Sequence, residues 1–275
     1  MLLVLNVDAV VAKPVPLVGW SGSFLARLVK SYFPRDVVDC GFSVSPLLVG
    51  GRVVLSGVNG STQVLDAGSR VSFRAAFFCG SDKLSSVLDV VSSGLGVFSI
   101  QSVDFRVYES PDELLKGCGF CSSGDVVKVV DNASRVVVDV FFGPTILVFR
   151  GWRVLFPSPQ RIVFNLARLS TQYLGVDPRV SRRRARVLSR HVEVVGSPRT
   201  RVVDVFIGRG RRVKAFMGST RFGVYREDCV RDFIELLELG KVVGVGKSRG
   251  IGFGYISYRV LGGKGRSDEE TADNI

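Results

Sequence analysis

The apolar positions of this chain switch between strand-like and helix-like spacing, and they do so in the same order twice. Met1 to Val11 is an almost unbroken apolar run, interrupted by Asn6 and Asp8, which predicts a first buried strand. Gly19 to Phe33 places Phe24, Leu25, Leu28, Val29 and Tyr32 on one helical face, and Pro34 ends that helix. Phe42 to Val49 and Arg70 to Cys79 predict strands, separated by the Gly50-Gly51 turn and a short extended piece at Arg52 to Leu55. Asp82 to Ser93 returns to helical spacing with Leu84, Val87, Leu88 and Val91 inward, and Val97 to Tyr108 closes the set as a strand. Strand, helix, strand, strand, helix, strand is the ferredoxin-like unit.

The second half repeats that order without repeating the sequence. A strand is predicted at Arg135 to Phe142, a helix at Pro159 to Leu174, a strand at Val187 to Val195 and a strand pair within Arg201 to Tyr225. A helix from Asp228 to Leu239 follows, with Val230, Phe233, Ile234 and Leu237 on one stripe, and then a strand from Gly254 to Val260. The polar, glycine-containing stretch from Ser110 to Ala133 separates the halves. The expected fold class is therefore α+β, two tandem ferredoxin-like (RRM-like) domains at 1–125 and 126–262, with a disordered tail at 263–275.

Composition fits that picture. A chain of 275 residues that is 46% hydrophobic can build two ordinary cores, and abundant valine and phenylalanine favour many short strands. Charge adds a division: residues 1–134 carry 11 Lys+Arg against 12 Asp+Glu, while residues 135–275 carry 26 against 13. The second half holds the whole basic excess, most of it arginine, whose planar guanidinium suits phosphate. A generally basic, solvated surface gives the same total. Five cysteines (Cys40, Cys79, Cys118, Cys121, Cys229) with no even pairing pattern and no export leader point to a reducing cytoplasm. Cys118 and Cys121 have zinc-ligand spacing but lack a second pair, so they read as loop thiols or a chance disulfide. The longest later apolar run, Val136 to Phe149, is broken by Asp139, Gly143 and Pro144, so no membrane span is expected. No carboxylate cluster suits a metal, and no cofactor is expected.

The most specific stretch runs from Gly244 through Gly246, Lys247, Ser248, Arg249, Gly250, Gly252 and Phe253 to Gly254. Closely spaced glycines let backbone amides approach an anion, with Lys247 and Arg249 beside them. The triplet Gly246-Lys247-Ser248 invites a nucleotide-triphosphatase reading, which fails: the first glycine of that motif would fall at Lys241, and this loop joins a helix to a strand.

Here the chain resembles the CRISPR repeat-processing endoribonucleases of the RAMP superfamily, whose C-terminal glycine-rich loop ends in Gly-Phe-Gly, as Gly252-Phe253-Gly254 does. Phe42 to Leu47 is similar to the family's second strand. Phe142 to Thr145 with Phe156 to Pro159 resembles the junction into its second domain, and Val213 to Tyr225 its glycine-containing hairpin. The resemblance implies a basic cleft for repeat RNA and metal-independent cleavage, by attack of a 2′-hydroxyl, leaving a 2′,3′-cyclic phosphate and a 5′-hydroxyl. Many family members place a histidine just after the first helix; Lys30 to Arg35 contains none, and members lacking it are known to cut.

That chemistry needs deprotonation of a 2′-hydroxyl, stabilisation of a phosphorane and protonation of the leaving oxygen. By position relative to the first helix, Lys30, Tyr32 and Arg35 are the catalytic candidates, with Lys30 or Arg35 on the phosphorane and Tyr32 aligning the nucleophile. Each also reads as a helix-end cation or a core ring. His191, the only histidine, ends an arginine run and reads as structural or phosphate-contacting. That run, Arg179, Arg182, Arg183, Arg184, Arg186 and Arg190, is expected to face RNA phosphate or to be a mobile solvated loop. RNA-binding candidates are thus Arg182, Arg183, Arg184 and Arg186 with Gly244, Gly246, Lys247, Arg249, Gly252 and Gly254. Precursor repeat RNA is the expected partner, with a homodimer and a CRISPR effector complex as further candidates. The alternatives are a non-catalytic RAMP subunit of such a complex, or a general RNA-binding protein.

Overall fold

The computed structural model describes residues 1–110, 113–114 and 133–265. Cys118, Cys121, the boundary placed between 125 and 126, and the tail beyond Gly265 lie outside them.

The first half is built on β1 (Leu2–Val11), which lies between β7 (Arg70–Phe77) and β8 (Phe98–Tyr108) in an antiparallel sheet. β3 (Phe42–Val44) and β4 (Leu48–Val49) both pair with β7, and β5 (Arg52–Val53) pairs with β4. A small ribbon of β2 (Val15–Leu17) and β6 (Gln63–Leu65) stands apart. Helices α1 (Ser21–Tyr32) and α3 (Leu84–Ser93) cover one face, and the short α2 (Arg35–Asp39) links α1 to β3. The apolar run of β1 is explained by period two: Leu3, Leu5, Val7 and Ala9 share a core with Leu25, Val29, Val87 and Val91. Leu2 and Val4 join Ala76 and Tyr108 in the core of the second half. Both faces are covered from Leu2 to Leu5, so the run starts unbroken; from Asn6 on the alternation returns, with Asp8 exposed between buried Val7 and Ala9.

The second half repeats the plan. β9 (Ala133–Thr145) lies between β14 (Arg211–Tyr225) and β15 (Ile256–Gly265), while β12 (Val192–Val194) and β13 (Arg199–Gly208) both pair with β14. Helices α4 (Pro159–Leu174), α5 (Pro178–His191) and α6 (Glu227–Val243) pack over the sheet, and a hairpin of β10 (Leu147–Phe149) and β11 (Trp152–Val154) precedes α4. The ferredoxin-like order thus holds in both halves.

One expected element is wrong. Val187 to Val195 is mostly the end of α5, and strand begins only at Val192. The Asp177 carboxylate accepts from the amides of Arg179 (2.6 Å) and Val180 (3.3 Å), Pro178 occupies the first helical position, and Ser181, Ala185 and Leu188 are buried at helical spacing. The arginine run is therefore a helix, and the loop alternative falls with the strand. The last strand also reaches Gly265, three residues past the boundary expected at Gly262.

A third core cluster lies at the seam between the halves: Trp20 and Val58 from the first pack with Ile146, Val203, Val205, Ala215, Met217 and Phe253 from the second. Backbone bonds cross it, from Trp20 to the Phe206 carbonyl (2.8 Å), from Phe206 to Gly57 (2.8 Å) and from Asn59 to Asp204 (2.7 Å). Burial and hydrogen bonding together fix the relative position of the halves, which is what lets one cleft draw residues from both.

Candidate functional site

The glycine-rich loop connects α6 to β15 and lies in the seam. Val245 donates to the Gly254 carbonyl, Gly254 to Pro144 and Lys247 to Ile146, each at 2.8 Å, and Gly246 donates to the Asn165 side chain at 2.8 Å. Gly252 donates to Arg249, and Phe253 to Ser248. The expectation that the glycine amides cradle an anion is corrected by these bonds, because most of the loop's amides are already engaged inside the protein. The glycines serve close packing instead. A Cβ on Gly252 would lie 2.7 Å from the Cα of Gly22 in α1, and one on Gly254 would collide with the backbone of Val245. Phe253 is buried against Trp20 with ring centroids 6.0 Å apart.

What the loop presents outward is cationic. Gly246, Lys247, Ser248, Arg249 and Gly250 form one wall of a cleft of about 660 Å³; Arg161, Phe164, Asn165 and Arg168 of α4 form another, and Phe42 and Val148 complete it. Four cations and no carboxylate line it. Arg249 is held from behind: it donates to the Gly246 carbonyl and to the Tyr173 hydroxyl (2.8 Å), and Tyr173 stacks on Phe78 of the first half at 3.6 Å. Arg161 stands in the first turn of α4, which carries no acidic residue, although a cation there opposes the helix dipole. Its guanidinium lies over the Phe149 ring, 3.4 Å from the centroid, a cation–π contact that offsets part of this cost.

Arg161, Asn165 and Arg168 were missed in the sequence. Their spacing of four and three puts them on one face of α4, beside the stripe of buried Ile162, Leu166 and Leu169, so helical periodicity was the available signal. Of the expected RNA-binding residues, Gly246, Lys247 and Arg249 line the cleft, whereas Gly244, Gly252 and Gly254 support it from within the seam. Lys30 and Arg35 are exposed and Tyr32 is half-exposed with its hydroxyl against Gly96; none of the three is in the cleft lining. His191 is outside it too. Cys79 and Cys229 are buried, and burial pushes their thiols up to about 12 and about 11, so neither is a thiolate nucleophile at neutral pH. Among the described residues, no three His, Cys, Asp or Glu are grouped to hold a metal ion. No described helix is long and apolar enough to cross a membrane.

On α5, Arg182, Arg183 and Arg186 are exposed together with Arg179 and Arg190, but Arg184 turns inward. Its guanidinium meets Glu235 at 2.6 and 2.5 Å and Asp232 at 2.5 Å. Burial alone would lower its pKa; the hydrogen bonds it donates to Glu235 and Asp232 outweigh burial and hold it above the ordinary arginine value. Arg184 is therefore a structural clamp between α5 and α6. Arg184→Ala is expected to cost about 2–3 kcal/mol in urea unfolding, since Glu235 stays buried without its cation. Lysine at this position is expected to recover less than half of that loss, because it cannot bond both carboxylates in a fork.

Residues 140–256 match the model of the family described as CRISPR-associated endoribonuclease Cas6. A search of the curated proteins finds no match. Among solved structures the fold is that of Cas6 proteins. A Thermus thermophilus Cas6 superposes with a TM-score of 0.61 at 14% identity, over 94% of this chain and 98% of that one. A Cas6 product complex gives 0.59 at 15% identity, over 94% and 100%. A partial Cas6-RT-Cas1–Cas2 complex gives 0.60 at 10% identity, over 96% of this chain and 47% of the longer one. The family resemblance read from the residues is thus met twice, by sequence in the second half and by fold along the chain.

Proposed function

We infer that this chain, whose second half matches the Cas6 family model and whose fold is that of Cas6 proteins, is an endoribonuclease that cuts CRISPR repeat RNA. The observation that carries this reading is the seam cleft: Arg161, Arg168, Lys247 and Arg249 line an open space of about 660 Å³ with no carboxylate in its lining, between domains whose positions are fixed. The exposed arginines of α5 form a second basic surface. The solved Cas6 structures include a product complex and a substrate-mimic complex, which fits a role in binding and cutting RNA.

The reaction proposed is metal-independent transesterification. The ribose 2′-oxygen attacks the adjacent phosphorus, the bond to the 5′-oxygen breaks, and the products carry a 2′,3′-cyclic phosphate and a 5′-hydroxyl. Lys30 and Arg35 would stabilise the phosphorane charge, and Tyr32 would align the 2′-hydroxyl. They sit at the C-terminal end of α1 and the start of α2, the segment that leads into Phe42 on the cleft wall. The test is incubation with labelled repeat RNA in EDTA, beside copies with one 2′-deoxy substitution at each position. Cutting at one site, abolished by one deoxy position, is expected. Lys30→Ala and Arg35→Ala should each slow that cut about a hundredfold, the size of one lost charge-stabilising donor.

A second reading has its own support. The cleft lining holds no histidine, carboxylate or cysteine that could exchange a proton near neutrality. A RAMP subunit that binds RNA without cutting it would look like this, and tight binding with no cleavage in the same assay would favour it.

A further inference from the structure

The hairpin of β10 and β11 carries apolar surface that neither the cores nor the proposed cleavage uses. Its turn residues, Arg150 and Gly151, have φ of +48° and +84°, the geometry whose twist suits a two-residue hairpin. The register pairs Leu147 with Val154, Val148 with Arg153 and Phe149 with Trp152. Facing residues share one side of a ribbon, so Phe149 and Trp152 continue past the core's edge the face that begins at buried Leu147. Trp152 is 78% exposed, and Phe156, just beyond the hairpin, is 60% exposed.

Two cations lie against Phe149. The guanidinium carbon of Arg161 lies 3.4 Å from the centroid of Phe149, covering one face of that ring, and that of Arg150 lies 5.3 Å away. Residues 146–161 contain Arg150, Arg153 and Arg161 and no acidic residue. Val148 and Arg161 also line the cleft, so the hairpin forms its rim.

We propose that this hairpin is a stacking platform for unpaired bases of the RNA strand that enters or leaves the cleft. Trp152 and the exposed part of Phe149 take base faces, and Arg150 and Arg153 meet the phosphates between them. This rests on the reading of the chain as an RNA-binding protein and adds where single-stranded RNA beside the repeat is held. An apolar protein partner would have to bury three arginines without counter-charge, whereas a single strand supplies both planar rings and anions. Stacking of this kind accepts any base, so the platform imposes reach rather than sequence.

The two tryptophans make the test direct, because Trp20 is fully buried and Trp152 is not. The intact protein is titrated with repeat RNA carrying a single-stranded extension, and with the same RNA trimmed of it. The extended RNA is expected to quench tryptophan emission, and Trp152→Ala to abolish that quenching. The same variant should weaken binding of the extended RNA about tenfold, the size of one base lost from an aromatic ring, with unchanged thermal melting. Trp152→Phe should recover most of the affinity, and trimmed RNA should bind all three proteins alike. Equal binding of extended RNA by Trp152→Ala and the parent overturns the platform while the RNA-binding reading stands. A parent that binds neither RNA overturns both. Self-association of the parent that Trp152→Ala abolishes, with RNA affinity unchanged, would make the hairpin a protein interface and also overturn the platform.

Discussion

Gly254→Ala is expected to lower the unfolding free energy by about 3 kcal/mol or more and to abolish tight RNA binding with it. The residue has φ of +78°, a conformation that costs an alanine about 1–2 kcal/mol by itself. The larger part is collision. A Cβ would be driven into the Val245 carbonyl, with that residue's backbone carbon and nitrogen at 2.7 and 2.8 Å. Neither partner can retreat cheaply, since Val245 donates to the Gly254 carbonyl and Gly254 donates to Pro144, each at 2.8 Å. Relief would have to come from shifting the loop, which moves Phe253 out of the seam and Lys247 and Arg249 away from α4. Gly151→Ala is the control, because Gly151 also has positive φ (+84°) but nothing lies within 4 Å of its added Cβ. Urea unfolding of both variants checks the argument: Gly151→Ala should lose about 1 kcal/mol, the φ cost alone. Equal losses in the two would show that the seam does not depend on this close approach.

The same loop shows how far sequence reaches. Its glycines marked a place where backbone comes close to something, and Gly252-Phe253-Gly254 carried the family resemblance. What the backbone comes close to was not legible. The contacts are Gly22, Pro144, Ile146 and Asn165, residues about 80 to 230 positions away that only the completed seam brings together. The strand-helix order of both halves was legible because each element buries a face whose period is local, as Leu3, Leu5, Val7 and Ala9 do in β1. Helix α5 was lost for the opposite reason. Its charge masked a complete local signal, the Asp177 cap, Pro178 at the first position, and Ser181, Ala185 and Leu188 on one stripe. The arginine pattern also hid a division of labour, since Arg184 answers to Glu235 and Asp232 on α6, an element some fifty residues later. Arg161 and Arg168 were readable as one helical face, but that they face Lys247 across a cleft depends on where the loop docks.

Which of the two basic surfaces holds RNA is settled by comparing triple variants. Arg161→Ala, Arg168→Ala and Lys247→Ala together are expected to weaken repeat RNA binding on the order of a thousandfold at moderate salt, taking each charged phosphate contact as about 1.5 kcal/mol. The exposed trio Arg182→Ala, Arg183→Ala and Arg186→Ala should cost far less, about tenfold, because these cations line no cleft whose second wall would hold the same strand. Affinity alone does not separate lost contacts from a damaged fold, so the salt dependence is the deciding readout. Three phosphate contacts removed from a single strand should flatten the slope of log affinity against log salt by about 2. A misfolded variant would lose affinity together with its cooperative melting. None of the three cleft residues is fully buried, and none is among the side-chain ion pairs of the described residues, so melting should change little. A thousandfold loss with the flattened slope places the backbone in the seam, between α4 and the loop. The reverse order, with the α5 trio costing more, would place the RNA along that helix and leave the cleft without a role in binding.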